Sequence, residues 1–151
     1  MSMVNAIDDV LAAIETALAL ITTGNDYNYT LGNATSDYVG APDPESINGA
    51  RPHIYITGFR DTVLLRQATM RVEVTVDFMG ITPGSDFRDI RERTLFLMAD
   101  LEKALFADVT LSGTCQLLKR GDSEGVFYRA GAHGVFTTSY AFDVFYTGGA
   151  P

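Results

Sequence analysis

Residues Thr69 to Leu105, TMRVEVTVDFMGITPGSDFRDIRERTLFLMADLEKAL, change their hydrophobic period partway along, and that change decides the fold. From Val72 to Phe78 the apolar Val72, Val74, Val76 and Phe78 alternate with Arg71, Glu73, Thr75 and Asp77. A period of two puts the apolar set on one face of a strand and leaves the other face wet. After Pro83, Gly84 and Ser85, the residues Phe87, Ile90, Leu97, Met98, Leu101 and Leu105 recur at three- and four-residue spacing. That spacing is one stripe of an amphipathic helix, predicted over 86–106. The helix is expected to lie on the apolar face of the strand, with other strands pairing beside it.

Working outward towards the N-terminus, Ile7, Val10, Leu11, Ile14, Leu18 and Ile21 predict a second amphipathic helix over 5–23. Asn5 is its expected cap and Gly24 its stop. Tyr27, Tyr29 and Leu31 alternate with polar residues as in a short edge strand. Residues 32–52 carry Gly40, Pro42, Pro44, Gly49 and Pro52, too broken for regular structure. Loops of that length inside a compact domain usually bind something, which makes this one, with Tyr38 and Val39, a candidate contact between subunits.

His53 to Phe59 reads as a strand, and 53–81 as strand, arm and strand. The arm carries an apolar triplet, Val63, Leu64 and Leu65, bounded by Arg60, Asp61, Arg66 and Gln67. Either the triplet folds onto its own core, or it docks on a neighbour as exposed contiguous apolar surface tends to do. Towards the C-terminus, Thr114–Lys119 and Val126–Arg129 flank RGDSEG and read as a β-hairpin. Phe136, Tyr140, Phe142, Val144 and Tyr146 then line one face of a last, central strand, closing the segment 114–146. The whole, residues 1–151, reads as a single α+β domain: a mainly antiparallel sheet packed against two amphipathic helices, with long loops and a hairpin.

The composition narrows the function classes. Apolar residues are 46% of the chain and charged residues 20%, which is a folding composition rather than a disordered one. The net charge is −8, with 11 basic residues that are not clustered into a stripe, so the electrostatic footprint of a phosphate-binding surface is missing. An acidic surface does suit the wall of a passage to which DNA must not stick. The lone Cys115 has no internal disulfide partner, and Asp8, Asp9 and Glu15 interrupt the first apolar run, so neither a signal peptide nor a membrane span is expected.

Catalytic chemistry lacks its parts. Cys115 with His53 or His133 would be needed for a nucleophile and base, but Cys115 opens a predicted strand beside Leu117, where a buried thiol is the commoner role. Glu73 and Asp77 share one strand face, yet four residues of extended chain hold them roughly 13 Å apart, too far for paired acid and base work. Keeping that face wet is their expected role. No catalytic residue, metal ligand or cofactor-binding residue is assigned, and no cofactor is expected.

In order, these features are the N-terminal helix, the Pro/Gly loop, the strand opening Arg51, Pro52, His53, Ile54, Tyr55, the strand VEVTVDFMGI, the helix IRERTLFLMADLEKAL, the hairpin, and the aromatic strand ending Phe142, Asp143, Val144, Phe145, Tyr146. The layout resembles that of the tail terminator proteins of tailed bacteriophages, also called tail completion or neck terminator proteins, over nearly the whole chain. The resemblance implies a non-enzymatic ring, typically of six subunits, that caps the tail tube protein and meets the head connector at the neck of the virion. Genomic DNA would pass through it without specific binding, and assembly would take place in the host cytoplasm, away from any membrane. Interface residues expected for such a ring are Arg60, Val63, Leu64, Leu65, Arg66, Tyr38 and Val39, with Glu73 and Asp77 facing the lumen. The alternatives are another neck or tail structural protein, such as a head-closure or tube protein, and a small ligand-binding module using Tyr27, Tyr55, Tyr140 and Phe142.

Overall fold

The computed structural model describes residues 2–33, 37–44, 51–63, 69–128 and 132–147. Its elements are α1 (Met3–Ala19), β1 (His53–Val63), β2 (Thr69–Pro83), α2 (Phe87–Ala107), β3 (Gln116–Tyr128) and β4 (His133–Thr147). The strands form one antiparallel sheet in the order β1-β2-β4-β3, an α+β architecture with both helices on one face.

The alternation read from the sequence is realised in β2. Val72, Val74, Val76 and Phe78 are buried, while Arg71, Glu73, Thr75 and Asp77 stay half-exposed. Across the ladder from them, Val144, Phe142 and Tyr140 of β4 point the same way, and β4 is indeed central. Ile90, Leu97, Leu101 and Leu105 of α2 and Val10, Ile14 and Leu18 of α1 complete the core. Phe87, placed in the buried stripe by its spacing, is instead 48% exposed at the first residue of α2, while Ile90 one turn on is buried. Tyr140 packs edge-on against Phe78 at 5.9 Å, and burial pushes its phenol up to about 12.

Two glycines make close approaches possible. A Cβ on Gly80 would lie 1.8 Å from the Phe136 ring, which fills the space over the central strand. One on Gly134 would lie 2.3 Å from Thr94 Oγ1, where α2 crosses β4. Thr94 itself is buried and bonded to Thr82 Oγ1 at 3.0 Å and Ile90 O at 2.7 Å.

Three local expectations are corrected. The α1 cap is Ser2, whose Oγ accepts from Asn5 N at 3.2 Å, and the helix ends at Ala19 with Leu20 as its C-cap, before Gly24. A side-chain oxygen three residues upstream of Asn5 captures the free helix donor first. Residues 27–31 form no strand: their alternation comes from packing an irregular segment onto α2. In place of the hairpin expected at 114–129 there is one continuous strand, β3 (Gln116–Tyr128), whose irregularities between Leu117 and Lys119 and between Arg120 and Ser123 absorb the turn-like residues. Gly121 is there for close approach, since a Cβ on it would lie 2.3 Å from Ser139 Oγ. The true hairpin joins β3 to β4.

Truncation of a wholly buried leucine costs about 2 to 5 kcal/mol, so Leu101→Ala should lower the urea midpoint accordingly without changing the far-UV spectrum. Gly80→Ala should cost about 1 to 3 kcal/mol by overpacking against Phe136, and Phe136→Leu in the same chain should recover part of that loss. Equal stability of Gly80→Ala and the parent in urea titrations would show that the Phe136 ring is free to move aside.

Candidate interaction surface

The residues weighed for catalysis are not brought together. His53 opens β1 and His133 opens β4, at the same end of the sheet but with β2 between them. Cys115 precedes Gln116, which pairs with Asp143, ten residues along β4 from His133 and so roughly 33 Å away on an extended strand. Burial pushes the Cys115 thiol up and the His53 imidazole down, each away from the form that a thiolate–imidazolium pair would need. Among the described residues no group of three or more His, Cys, Asp or Glu is placed to hold a metal ion, and no helix is long and apolar enough to cross a membrane.

The four aromatic residues of the alternative ligand pocket also diverge. Tyr140 and Phe142 are inside the core, Tyr55 lies on the opposite sheet face in a small cluster with Ile81 and Val135, and Tyr27 sits by the α1/α2 groove. That groove, about 380 Å³, is lined by Ala13, Ala17, Leu20, Ala104 and Leu111 besides Tyr27.

The segment from Tyr27 to Leu31 is held instead by a buried charge. Asp100, 1% exposed on α2, accepts from Asn28 N at 2.9 Å, Asn28 Nδ2 at 3.0 Å and Tyr29 N at 3.0 Å. Lys103 one turn on donates to Asp26 O at 2.6 Å and covers the Tyr27 ring at 4.7 Å. Burial outweighs these donors and raises the Asp100 carboxyl above its ordinary value.

Of the residues expected at a subunit interface, Tyr38 is buried in the chain's own core, and its carbonyl accepts Ile56 N at 2.6 Å. Val39 beside it is 60% exposed and forms a parallel bridge with Ile56. Val63 is the last residue of β1, and Leu64, Leu65 and Arg66 lie outside the described residues. Arg60 is exposed and paired to Asp77 at 2.5 Å on the outer face of the sheet, the face away from the helices. Glu73 is half-exposed on that same face, opposite Asp143, which holds Arg71 Nε at 2.7 Å.

The surface that sequence reasoning missed is β3. After Leu117 all eleven residues to Tyr128 are exposed, although the strand pairs along β4 almost throughout. Leu118, Val126, Phe127 and Tyr128 are each 39 to 44% exposed, so apolar side chains stand in the open on both faces of an edge strand. The signal was present in Leu117-Leu118 and Val126-Phe127-Tyr128, where neighbouring residues are apolar in both phases of the alternation. A strand with one covered face does not need that pattern. Natural edges are usually shortened, charged or covered, and a long one flanked by apolar groups is a template for another chain. No protein-family model matches the chain, and no curated protein matches it either.

Asp100→Ala should cost about 1 to 3 kcal/mol by leaving the Asn28 and Tyr29 donors unpaired. The pH dependence has a definite sign. A carboxyl with a raised folded-state pKa binds its proton more tightly in the native chain, so its ionisation opposes folding. The stability advantage of the parent over Asp100→Asn should therefore be greatest below the unfolded carboxyl value and shrink as pH rises through the folded one. Parallel urea titrations of the two chains from acid to neutral pH measure that difference, and an advantage that grows with pH would reverse the assignment.

Proposed function

We propose that this chain is a non-catalytic structural protein of a phage virion, a tail terminator whose subunits close into a ring that caps the tail tube and meets the head connector. The observation that carries the reading is the β3 edge, unpaired among the described residues and bordered by apolar side chains on both faces. Such an edge gains most by taking up a further strand, and assembly supplies one.

Three further features support it. The order of helices, loop and strands resembles that of the terminators. The net charge of −8 suits a ring through which DNA slides without being held. Cys115 and His133, weighed as nucleophile and base, stand at opposite ends of the β3–β4 ladder, roughly 33 Å apart. Six copies, the number typical of terminators, would be joined by one heterologous interface repeated around the axis.

Light scattering on the purified chain, with negative-stain images of it alone and mixed with cognate tail tubes, tests this. The expected result is a closed ring in solution, or density capping the tube ends. A chain that stays monomeric and leaves the tubes bare would refute it.

A further inference from the structure

We propose that the β3 edge of one copy takes the β1 edge of a second copy as its next antiparallel strand, with Phe59 opposite Gly125 and Arg60 opposite Glu124. The inference rests on the assembly reading above and specifies its interface.

Strand direction comes first. Each neighbouring pair in β1-β2-β4-β3 is antiparallel, so β1 and β3, at the two ends, run in opposite directions. A second copy set beside the first in the same orientation therefore presents β1 antiparallel to β3, and the sheet continues without inversion. Part of the β1 edge is already occupied: Ile54 is bonded to the Asn33 side chain and Ile56 to the backbone of Tyr38 and Gly40. From Gly58 to Val63 no strand pairs with that edge among the described residues.

Backbone phase restricts the pairing further. Ile56 N donates outward to Tyr38 O, and Leu117 N donates outward to Val109 O. Following the alternation from these anchors through the irregularities in each strand, Phe59 and Asp61 of β1 and Ser123, Gly125 and Phe127 of β3 present their N–H and C=O groups outward. Residues of the same phase face each other in an antiparallel ladder, so Phe59 can pair with Ser123, Gly125 or Phe127 but not with Glu124 or Val126.

Side chains choose among those registers. Phe59 stands opposite Val76 on the helix side of the sheet and is 47% exposed, and Gly125, opposite Phe136, is on the same side. A Cβ on Gly125 would meet nothing within 4 Å, so the space over it is open to a ring, with the exposed Phe127 alongside. Setting Phe59 there brings Arg60 directly across from Glu124 on the outer face, an opposite-charge cross-strand pair. Arg60 would then lie between its own Asp77 and the neighbour's Glu124.

The test is a cysteine pair, Arg60→Cys with Glu124→Cys, in a Cys115→Ser chain. Residues opposed at a non-hydrogen-bonded site have Cα atoms about 4.5 Å apart, within disulfide range. Mild oxidation should give a ladder of covalent multimers ending at the size of the assembly. Each single-cysteine chain should stay monomeric in the denaturing gel, and a mixture of the two should give one dimer band. A cross-linked dimer from either single variant alone would indicate pairing of like edges and overturn the proposal. A native mass above one chain without cross-linking would overturn this interface while leaving assembly standing, and a strictly monomeric native mass would overturn both. Should the cysteine pair fail to fold, charge reversal reads the same contact. Arg60→Glu and Glu124→Arg should each raise the concentration at which the assembly dissociates, by about tenfold or more, and the double reversal should restore it. Failure of the double reversal to restore assembly would overturn the register.

Discussion

The unbroken ladder between β2 and β4 is the constraint from which the rest follows. It runs from Thr69↔Thr147 to Pro83↔His133 with no shift of register, whereas the ladders on either side of it are irregular. With the phase of every side chain fixed on two adjacent strands, Val72, Val74, Val76 and Phe78 meet Val144, Phe142, Tyr140 and Thr138 in pairs, and one continuous apolar floor results. A slip by one residue would turn that floor over. Both helices are seated by it: α2 comes close enough to touch β4 because Gly134 has no side chain, and the Phe136 ring lies flat because Gly80 has none.

Against this rigid centre, the two edges are treated differently. One half of β1 is finished by the chain itself, through Asn33, Tyr38 and Gly40. The segment leading into that arrangement is anchored in turn on α2 by Asp100, a carboxylate whose burial is tolerated because three N–H donors converge on it. Among the described residues the β3 edge receives no comparable finish beyond Leu117.

The central elements were legible because their periodicity and their packing agree. β2, β4 and both helices each bury one face, so the spacing of apolar residues reports the structure directly. Tyr27, Tyr29 and Leu31 alternate for another reason: an irregular segment is pinned by one side chain, Asp100, 72 residues from Asn28 and 71 from Tyr29, and no local pattern encodes such a partner. The RGDSEG segment misled for a third reason. Its residues are those of a turn, yet the neighbouring strand accommodates them as an irregularity, with Gly121 chosen by the proximity of Ser139. Of the residues named for an interface, Arg60 and Val39 are at the surface and Tyr38 is in the core, because loop composition says where a chain is irregular and not which side chains it shelters.

The central ladder also has a consequence for how the chain is made. Its closest rung, Pro83 with His133, joins residues 50 apart, and its farthest joins Thr69 to Thr147. On the ribosome β2 therefore emerges long before its partner exists, with a full row of valines and no strand to meet on that side. The element synthesised immediately after it is α2, whose apolar stripe covers the same row in the finished protein. The order of elements along the chain thus places the permanent cover of that row next to it from the start, and leaves the slow, non-local pairing to the last strand to arrive.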